Sequence, residues 1–84
     1  MTGVLLVDDE PLVLVGIQSM LKWEDYGAQV VGTARNGAQA LELIGKLRPD
    51  LVIADIKMPV MDGLKLMETA QETYEDPPLF ILLT

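Results

Sequence analysis

Three apolar runs of the sequence each end in a residue that could do chemistry. Asp8 and Asp9 follow the first run, Asp55 follows the second and Thr84 follows the third. Carboxylates held close together either acquire raised pKa values or bind a cation. The chain contains no histidine and no cysteine, so that cation would be an oxygen-ligated one such as Mg²⁺. A carboxylate beside such a cation is equipped to accept a phosphoryl group, because the metal offsets the developing negative charge.

Each of these residues also has a simpler interpretation. The acids at 8–10 could only cap the N-terminus of a helix. A lone aspartate such as Asp55 at the end of a strand could serve only in a turn, and Thr84 could be no more than a β-branched residue that favours strands. The chemical interpretation therefore requires a fold that brings these residues to one edge of a sheet.

The segments that must position these residues alternate between two patterns. Short, continuous apolar runs predict strands, at 3–7, 29–34, 51–54 and 79–83. Apolar residues at intervals of three and four predict helices, at 10–22, from an N-cap at Asn36 to Pro49, and from Asp62-Gly63 onwards. Residues 23–27 break the helical period and predict a loop. This alternation predicts an α/β fold with a parallel sheet, in which ligands bind beyond the carboxyl ends of the strands.

The composition excludes several classes of function. The chain has 84 residues, and 13 acidic against 6 basic side chains give it a net charge of −7, which argues against direct contact with nucleic acid. Without cysteine or histidine there is no disulfide, thiol nucleophile or histidine-based acid–base catalysis. No apolar run approaches about 18 residues and no basic region precedes one, so we expect no membrane segment and a cytoplasmic location.

The sequence resembles the receiver domain of two-component response regulators. The resemblance covers the whole chain, and it is carried by the ordered stretches 4–11 (VLLVDDEP), 49–59 (PDLVIADIKMP) and 61–63 (MDG). Asn36-Gly37 and Ala40-Leu41 also fit the second helix of that family. The resemblance implies a flavodoxin-like, doubly wound parallel sheet with the strand order 2-1-3-4 for the four strands of this chain.

The resemblance also implies a role for each matched residue. Asp55 would accept a phosphoryl group from a sensor histidine kinase. Asp8 and Asp9 would hold Mg²⁺, Asp9 directly and Asp8 largely through water, and Asp55 and the backbone carbonyl of Lys57 would complete the protein ligands. Thr84 would be the hydroxyl residue that moves toward the phosphoryl oxygens. The chain would then be a phosphoacceptor switch with at most slow autodephosphorylation, and not an enzyme in the usual sense.

Two further features concern the rest of the regulator. Residues 23–27 (WEDYG) resemble receivers that precede AraC-type helix-turn-helix domains, which implies a transcription-regulating output that contacts DNA through a domain absent from this chain. The family pattern continues with a fourth helix, a fifth strand and a fifth helix, and no position here matches its phosphate-binding lysine. We therefore expect residues 1–84 to be an incomplete receiver domain with an apolar edge strand at 79–83. A homodimer is also consistent with the resemblance.

Two other functions remain open from the sequence. A degenerate receiver could act only as a protein-interaction module, although the complete set of three acids disfavours this. An aspartate-nucleophile phosphatase of the haloacid dehalogenase type is the less favoured alternative. Such an enzyme uses an acid two residues after its nucleophile, and this chain has Lys57 at that position.

Overall fold

The computed structural model describes residues 1–83, which form one four-stranded sheet, three α-helices and a short 3-10 helix. In chain order the elements are β1 (Thr2–Val7), α1 (Pro11–Met20), the 3-10 helix (Trp23–Tyr26), β2 (Ala28–Ala34), α2 (Gly37–Leu47), β3 (Leu51–Asp55), α3 (Gly63–Thr73) and β4 (Leu79–Leu83). The predicted alternation of strands and helices is confirmed. None of the helices in this part of the chain is long and apolar enough to cross a membrane.

Several boundaries differ from the sequence prediction, by one residue in β1, β2 and β3 and by two residues at the ends of α1 and α2. Helix α1 ends at Met20, two residues before the predicted end, because Leu21 already has an extended backbone. The segment predicted as a loop contains the 3-10 helix, which ends at Tyr26 and is followed by Gly27 with φ at +69°. The N–H of Gly27 donates to the carbonyl of Glu24 (3.1 Å), and glycine adopts this left-handed conformation without a steric penalty.

The sheet is parallel throughout and has the order β2-β1-β3-β4, as expected for a flavodoxin-like fold. Strand β1 lies between β2 and β3, and Val7 pairs with Ala34 on one side and Ala54 on the other. The carboxyl ends of β1 and β3 are therefore adjacent. This pairing places Asp8, which follows Val7, beside Asp55, which follows Ala54.

Helices cover β1 on both faces of the sheet. One face is packed by α1, where Val4 and Leu6 of β1 contact Leu14. The opposite face is packed by α2 and α3, with Leu5 and Val7 of β1 in that cluster. Because β1 is buried on both faces, its sequence is continuously apolar and does not alternate with polar residues.

Strand β4 is an edge strand within the described residues, and it pairs with β3 alone. Leu79, Ile81 and Leu83 are 76%, 47% and 41% exposed. Their partners in β3 include Leu51 and Ile53, so these side chains lie on the face that α1 packs. The expected apolar edge is thus confirmed for β4.

Candidate metal centre

The carboxylates of Asp8, Asp9 and Asp55 converge at the carboxyl edge of the sheet. One carboxylate oxygen from each residue lies within 4.8 Å of the other two. The pairing of β1 with β3 produces this convergence, because it aligns the two strand ends that carry the acids. The geometry that the chemical interpretation required is therefore present.

Asp8 is the buried member of this acidic cluster, with 7% of its surface exposed. Its pKa is raised above the ordinary value of 3.8, chiefly because burial removes the carboxylate from water and also because Asp55 and Asp9 are nearby negative charges. The backbone N–H of Glu10 donates to Asp8 Oδ1 (2.9 Å), which acts in the opposite direction. The ionised form of Asp8 is thus less favourable here than in water, and a bound cation would offset that cost.

The helix-capping alternative accounts for only part of this cluster. Glu10 is the N-cap residue of α1, but its side chain makes no capping hydrogen bond. One oxygen of Asp8 is used locally, since it accepts the Glu10 N–H. The simple capping interpretation does not explain why Asp9 and Asp55 share the same small space.

Asp55 is oriented by the loop that follows it. The backbone N–H of Lys57 donates to Asp55 Oδ1 (3.0 Å), while the Lys57 side chain points to solvent. The other Asp55 oxygen accepts no hydrogen bond from the residues that the structure describes. One oxygen of the half-buried carboxylate is therefore fixed, and the other is free to react or to bind a ligand.

Gly63 seats the start of α3 on the backbone of Asp55. A Cβ atom at position 63 would lie 2.6 Å from the carbonyl oxygen of Asp55 and 3.0 Å from Cα of Ile56. The Gly63 N–H donates to the Ile56 carbonyl (3.2 Å). Asp62 caps α3, because its Oδ1 accepts the N–H of Lys65 (2.8 Å). The Asp-Gly pair therefore has the structural role that its sequence indicated.

Two further residues that the sequence predicted for the site, and one residue that it did not indicate, complete the description. Lys57 lies next to the acidic cluster, where its backbone N–H donates to Asp55. The role of its carbonyl as a metal ligand stays a prediction. Thr84, the predicted hydroxyl switch, lies outside the described residues. No local pattern indicated Val60, which has φ at +69° in the loop between Asp55 and α3, because valine is strongly disfavoured in that conformation.

The donor atoms of the acidic cluster fit a hard divalent cation. Asp8, Asp9 and Asp55 contribute only oxygen atoms, and the whole chain has no cysteine or histidine to add sulfur or imidazole nitrogen. Oxygen-only sets with several carboxylates suit Mg²⁺ better than softer metals. The raised pKa of Asp8 points the same way, since a cation would offset both the burial of the carboxylate and the repulsion from Asp55 and Asp9 that raise it.

Comparison with known proteins assigns the family. A sequence model described as "Response regulator receiver domain" matches residues 4–84. The chain belongs to the response regulator receiver domain family. Two curated relatives of the chain are described as different kinds of protein. The transcriptional regulatory protein YesN of Bacillus subtilis is 46% identical over 68 residues, which cover 81% of this chain and 18% of that protein. A protein-glutamate methylesterase/protein-glutamine glutaminase of Geobacillus kaustophilus is 45% identical over 80 residues, covering 95% of this chain and 22% of that enzyme.

A solved receiver has the same fold. The REC domain of AraT, a response regulator from Geobacillus stearothermophilus, superposes with a TM-score of 0.83 at 37% identity. The superposition covers 98% of this chain and 65% of that domain. This receiver domain therefore spans about two thirds of the solved domain and about a fifth of the curated relatives it matches.

Proposed function

We propose that this receiver domain is a phosphoacceptor switch in which Asp55 takes a phosphoryl group and Asp8 and Asp9 hold Mg²⁺. The observation that carries the proposal is the convergence of the three carboxylates within 4.8 Å at the ends of two adjacent strands. The family assignment supports it, because acceptance of a phosphoryl group is typical of receivers.

The chemistry of Asp55 follows from the asymmetry of its two oxygens. The Lys57 N–H holds Oδ1, and the other oxygen attacks phosphorus. An O–P bond forms as the P–N bond of a phosphohistidine breaks, and the electron pair of that bond stays on the imidazole nitrogen. The product is an acyl phosphate, whose phosphoryl group carries about two negative charges in place of the single charge of the carboxylate, so the edge of the sheet gains about one negative charge. The domain would then act as a switch, since the reaction yields a modified protein and no released product.

Asp8 and Asp9 prepare the site by holding the cation. When bound, Mg²⁺ would supply positive charge that offsets the charge developing on the phosphoryl oxygens. Asp8 is fixed by the Glu10 N–H and is nearly excluded from water, so its position is preorganised. Asp9 is half-buried and faces the same space. The backbone carbonyl of Lys57 is the further protein ligand in this proposal.

The phosphodonor in this proposal is a sensor histidine kinase, and helix α1 is the surface we expect it to contact. Helix α1 begins directly after the acidic cluster and contains no charged residue from Pro11 to Met20. Leu12, in its first turn, is 84% exposed. An uncharged, apolar helix face beside the acceptor suits the apolar contacts of a docking partner.

The output of the switch is proposed to be transcriptional, through a DNA-binding domain outside this chain. YesN is described as a transcriptional regulatory protein, and the WEDYG segment pointed to the same class of regulator. Methylesterase relatives of similar identity mark the other output that this receiver could control.

The test is phosphorylation of the full chain with a small-molecule donor. The parent, Asp55→Asn and Asp50→Asn are each incubated with Mg²⁺ and acetyl phosphate, and their intact masses are measured. Asp50→Asn is the matched control, because Asp50 precedes β3 at the opposite edge of the sheet. We expect the parent and the control to gain one phosphoryl group, and Asp55→Asn to gain none. Chelation of Mg²⁺ should suppress the gain in the parent and in the control.

Two outcomes would contradict the proposal. Equal labelling of Asp55→Asn would show that another residue accepts the group, and an unlabelled parent would reject the phosphoacceptor role. Sustained release of phosphate from small phosphate esters would instead support the phosphatase alternative.

A further inference from the structure

Val60 is a strained residue whose strain no side-chain contact offsets. Its φ of +69° lies in the left-handed region, which β-branched residues rarely enter because Cβ crowds the following carbonyl. The side chain is fully exposed to solvent. Across Val60, the N–H of Met61 donates to the carbonyl of Pro59 (2.8 Å). Such a three-residue turn with positive φ at its centre is rare and strained.

The turn is imposed by anchors on both of its sides. Before it, Met58 is buried in the core under α2 and α3. After it, Met61 packs against the first residue of α2, so closely that a Cβ atom at Gly37 would lie 2.7 Å from the Met61 side chain. Gly63 is then seated on the backbone of Asp55. The chain must reverse within these few residues, and Val60 is the position where it does so.

We propose that Val60 is a positioning residue that limits how much of the time the acceptor site is organised to bind Mg²⁺. Lys57, whose N–H orients Asp55, belongs to the same loop. In the closed turn, the Met61 N–H is bonded to the Pro59 carbonyl. Strain at Val60 lowers the population of this closed turn relative to an open form in which that hydrogen bond is broken and the loop is not held. Apparent Mg²⁺ affinity falls in proportion to the closed fraction. This inference rests on the proposed function, because its readout is Mg²⁺ binding at the acidic cluster.

The proposal predicts an order of effects among substitutions at Val60, because residue types differ in how well they tolerate positive φ. Glycine has no Cβ and enters the left-handed region freely. Among residues that carry a Cβ, asparagine tolerates this region better than most. Alanine removes the branch of valine but keeps Cβ. Relief of the strain is partly offset for glycine, because it also makes the open loop more flexible. We expect Val60→Asn and Val60→Gly to tighten Mg²⁺ binding about two- to threefold, which is the gain available when the turn of the parent is closed about a third to a half of the time, and Val60→Ala to do so less.

The experiment compares Mg²⁺ dissociation constants of these variants by calorimetry on the full chain. Arg48→Gly is the matched control. Arg48 is also exposed with positive φ (49°), but it ends α2 at the opposite edge of the sheet. The same samples are examined by amide hydrogen exchange. Protection of the Met61 N–H should rise in the order valine, alanine, then asparagine and glycine, while Arg48→Gly should change neither the protection nor the Mg²⁺ affinity.

The outcomes separate this inference from the proposed function. If the parent binds Mg²⁺ and Val60→Asn and Val60→Gly bind it no more tightly, Val60 has no positioning role and the proposed function stands. If Val60→Ala equals Val60→Gly, the side chain and not the backbone conformation is responsible, and the inference is wrong. If neither the parent nor any variant binds Mg²⁺, the proposed metal site and this inference both fail.

Discussion

Replacing Asp8 by asparagine should stabilise the receiver domain when no divalent metal is present. Asp8 is nearly excluded from water, and burial and the charges of Asp9 and Asp55 raise its pKa. Asparagine is almost the same size and removes the charge. Its side-chain oxygen can still accept the Glu10 N–H that Asp8 Oδ1 accepts at 2.9 Å. The substitution therefore tests charge and leaves the local turn in place.

The magnitude follows from the distances within the acidic cluster. For two unit charges 4.8 Å apart, the repulsion is about 0.9 kcal/mol in bulk water and about 3.5 kcal/mol at an effective dielectric constant of about 20. Asp9 and Asp55 are half-exposed, which moves both pairs toward the lower value. We therefore expect Asp8→Asn to raise the free energy of unfolding by about 1–3 kcal/mol at neutral pH and low salt.

The dependence on pH has a defined sign. Because the folded-state pKa of Asp8 is raised above 3.8, the folded protein retains the proton longer than the unfolded chain does. The penalty for ionised Asp8 is absent below pH 3.8, grows as the pH rises through the folded-state pKa, and is complete above it. The difference in stability between Asp8→Asn and the parent should therefore be largest at neutral pH and shrink on acidification.

The assay is urea unfolding of the parent and Asp8→Asn, first in a chelator and then in Mg²⁺. A metal present at ten times its dissociation constant adds about 1.4 kcal/mol to the parent, and the variant should gain much less. Asp50→Asn is the control, because the Asp50 carboxylate accepts the Gly3 N–H far from the acidic cluster. An Asp8→Asn variant no more stable than the parent in chelator would refute the reasoning. So would equal stabilisation of both proteins by Mg²⁺.

Three further predictions use other parts of the structure. Gly63→Ala should destabilise the fold by about 2–4 kcal/mol in urea unfolding, because the new Cβ meets the Asp55 carbonyl. By contrast, Gly16 lies in α1 with open space around it, so Gly16→Ala should stabilise the fold by about 0.5–1 kcal/mol. Asn36→Ala should lose about 1 kcal/mol, because Asn36 accepts a backbone N–H at the start of α2, and Asn36→Asp should retain most of that stability. Leu12→Lys should slow phosphotransfer from a histidine kinase and leave labelling by acetyl phosphate unchanged, and slowing of both would contradict a docking role.

The local patterns of the sequence were sufficient for the elements of the fold. The apolar runs of β1 and β4, the N-cap at Asn36 and the start of α3 at Asp62-Gly63 are where the sequence predicted them. These features depend on periodicity and on hydrogen bonds between near neighbours, so a single chain read in order reveals them. The end of α1 and the 3-10 helix were missed, because backbone geometry at Leu21 and around Gly27 has only a weak local signal.

The sequence by itself determined which residue types stand at the strand ends, and so the kind of chemistry that could occur there. Only the tertiary structure decided that Asp8 and Asp55, 47 positions apart, lie within 4.8 Å, because that distance depends on β1 pairing with β3. The burial that raises the pKa of Asp8 has the same origin. The positive φ of Val60 arises from anchors on the core and on α2. Such long-range constraints override the local preference of valine, and no local pattern records them.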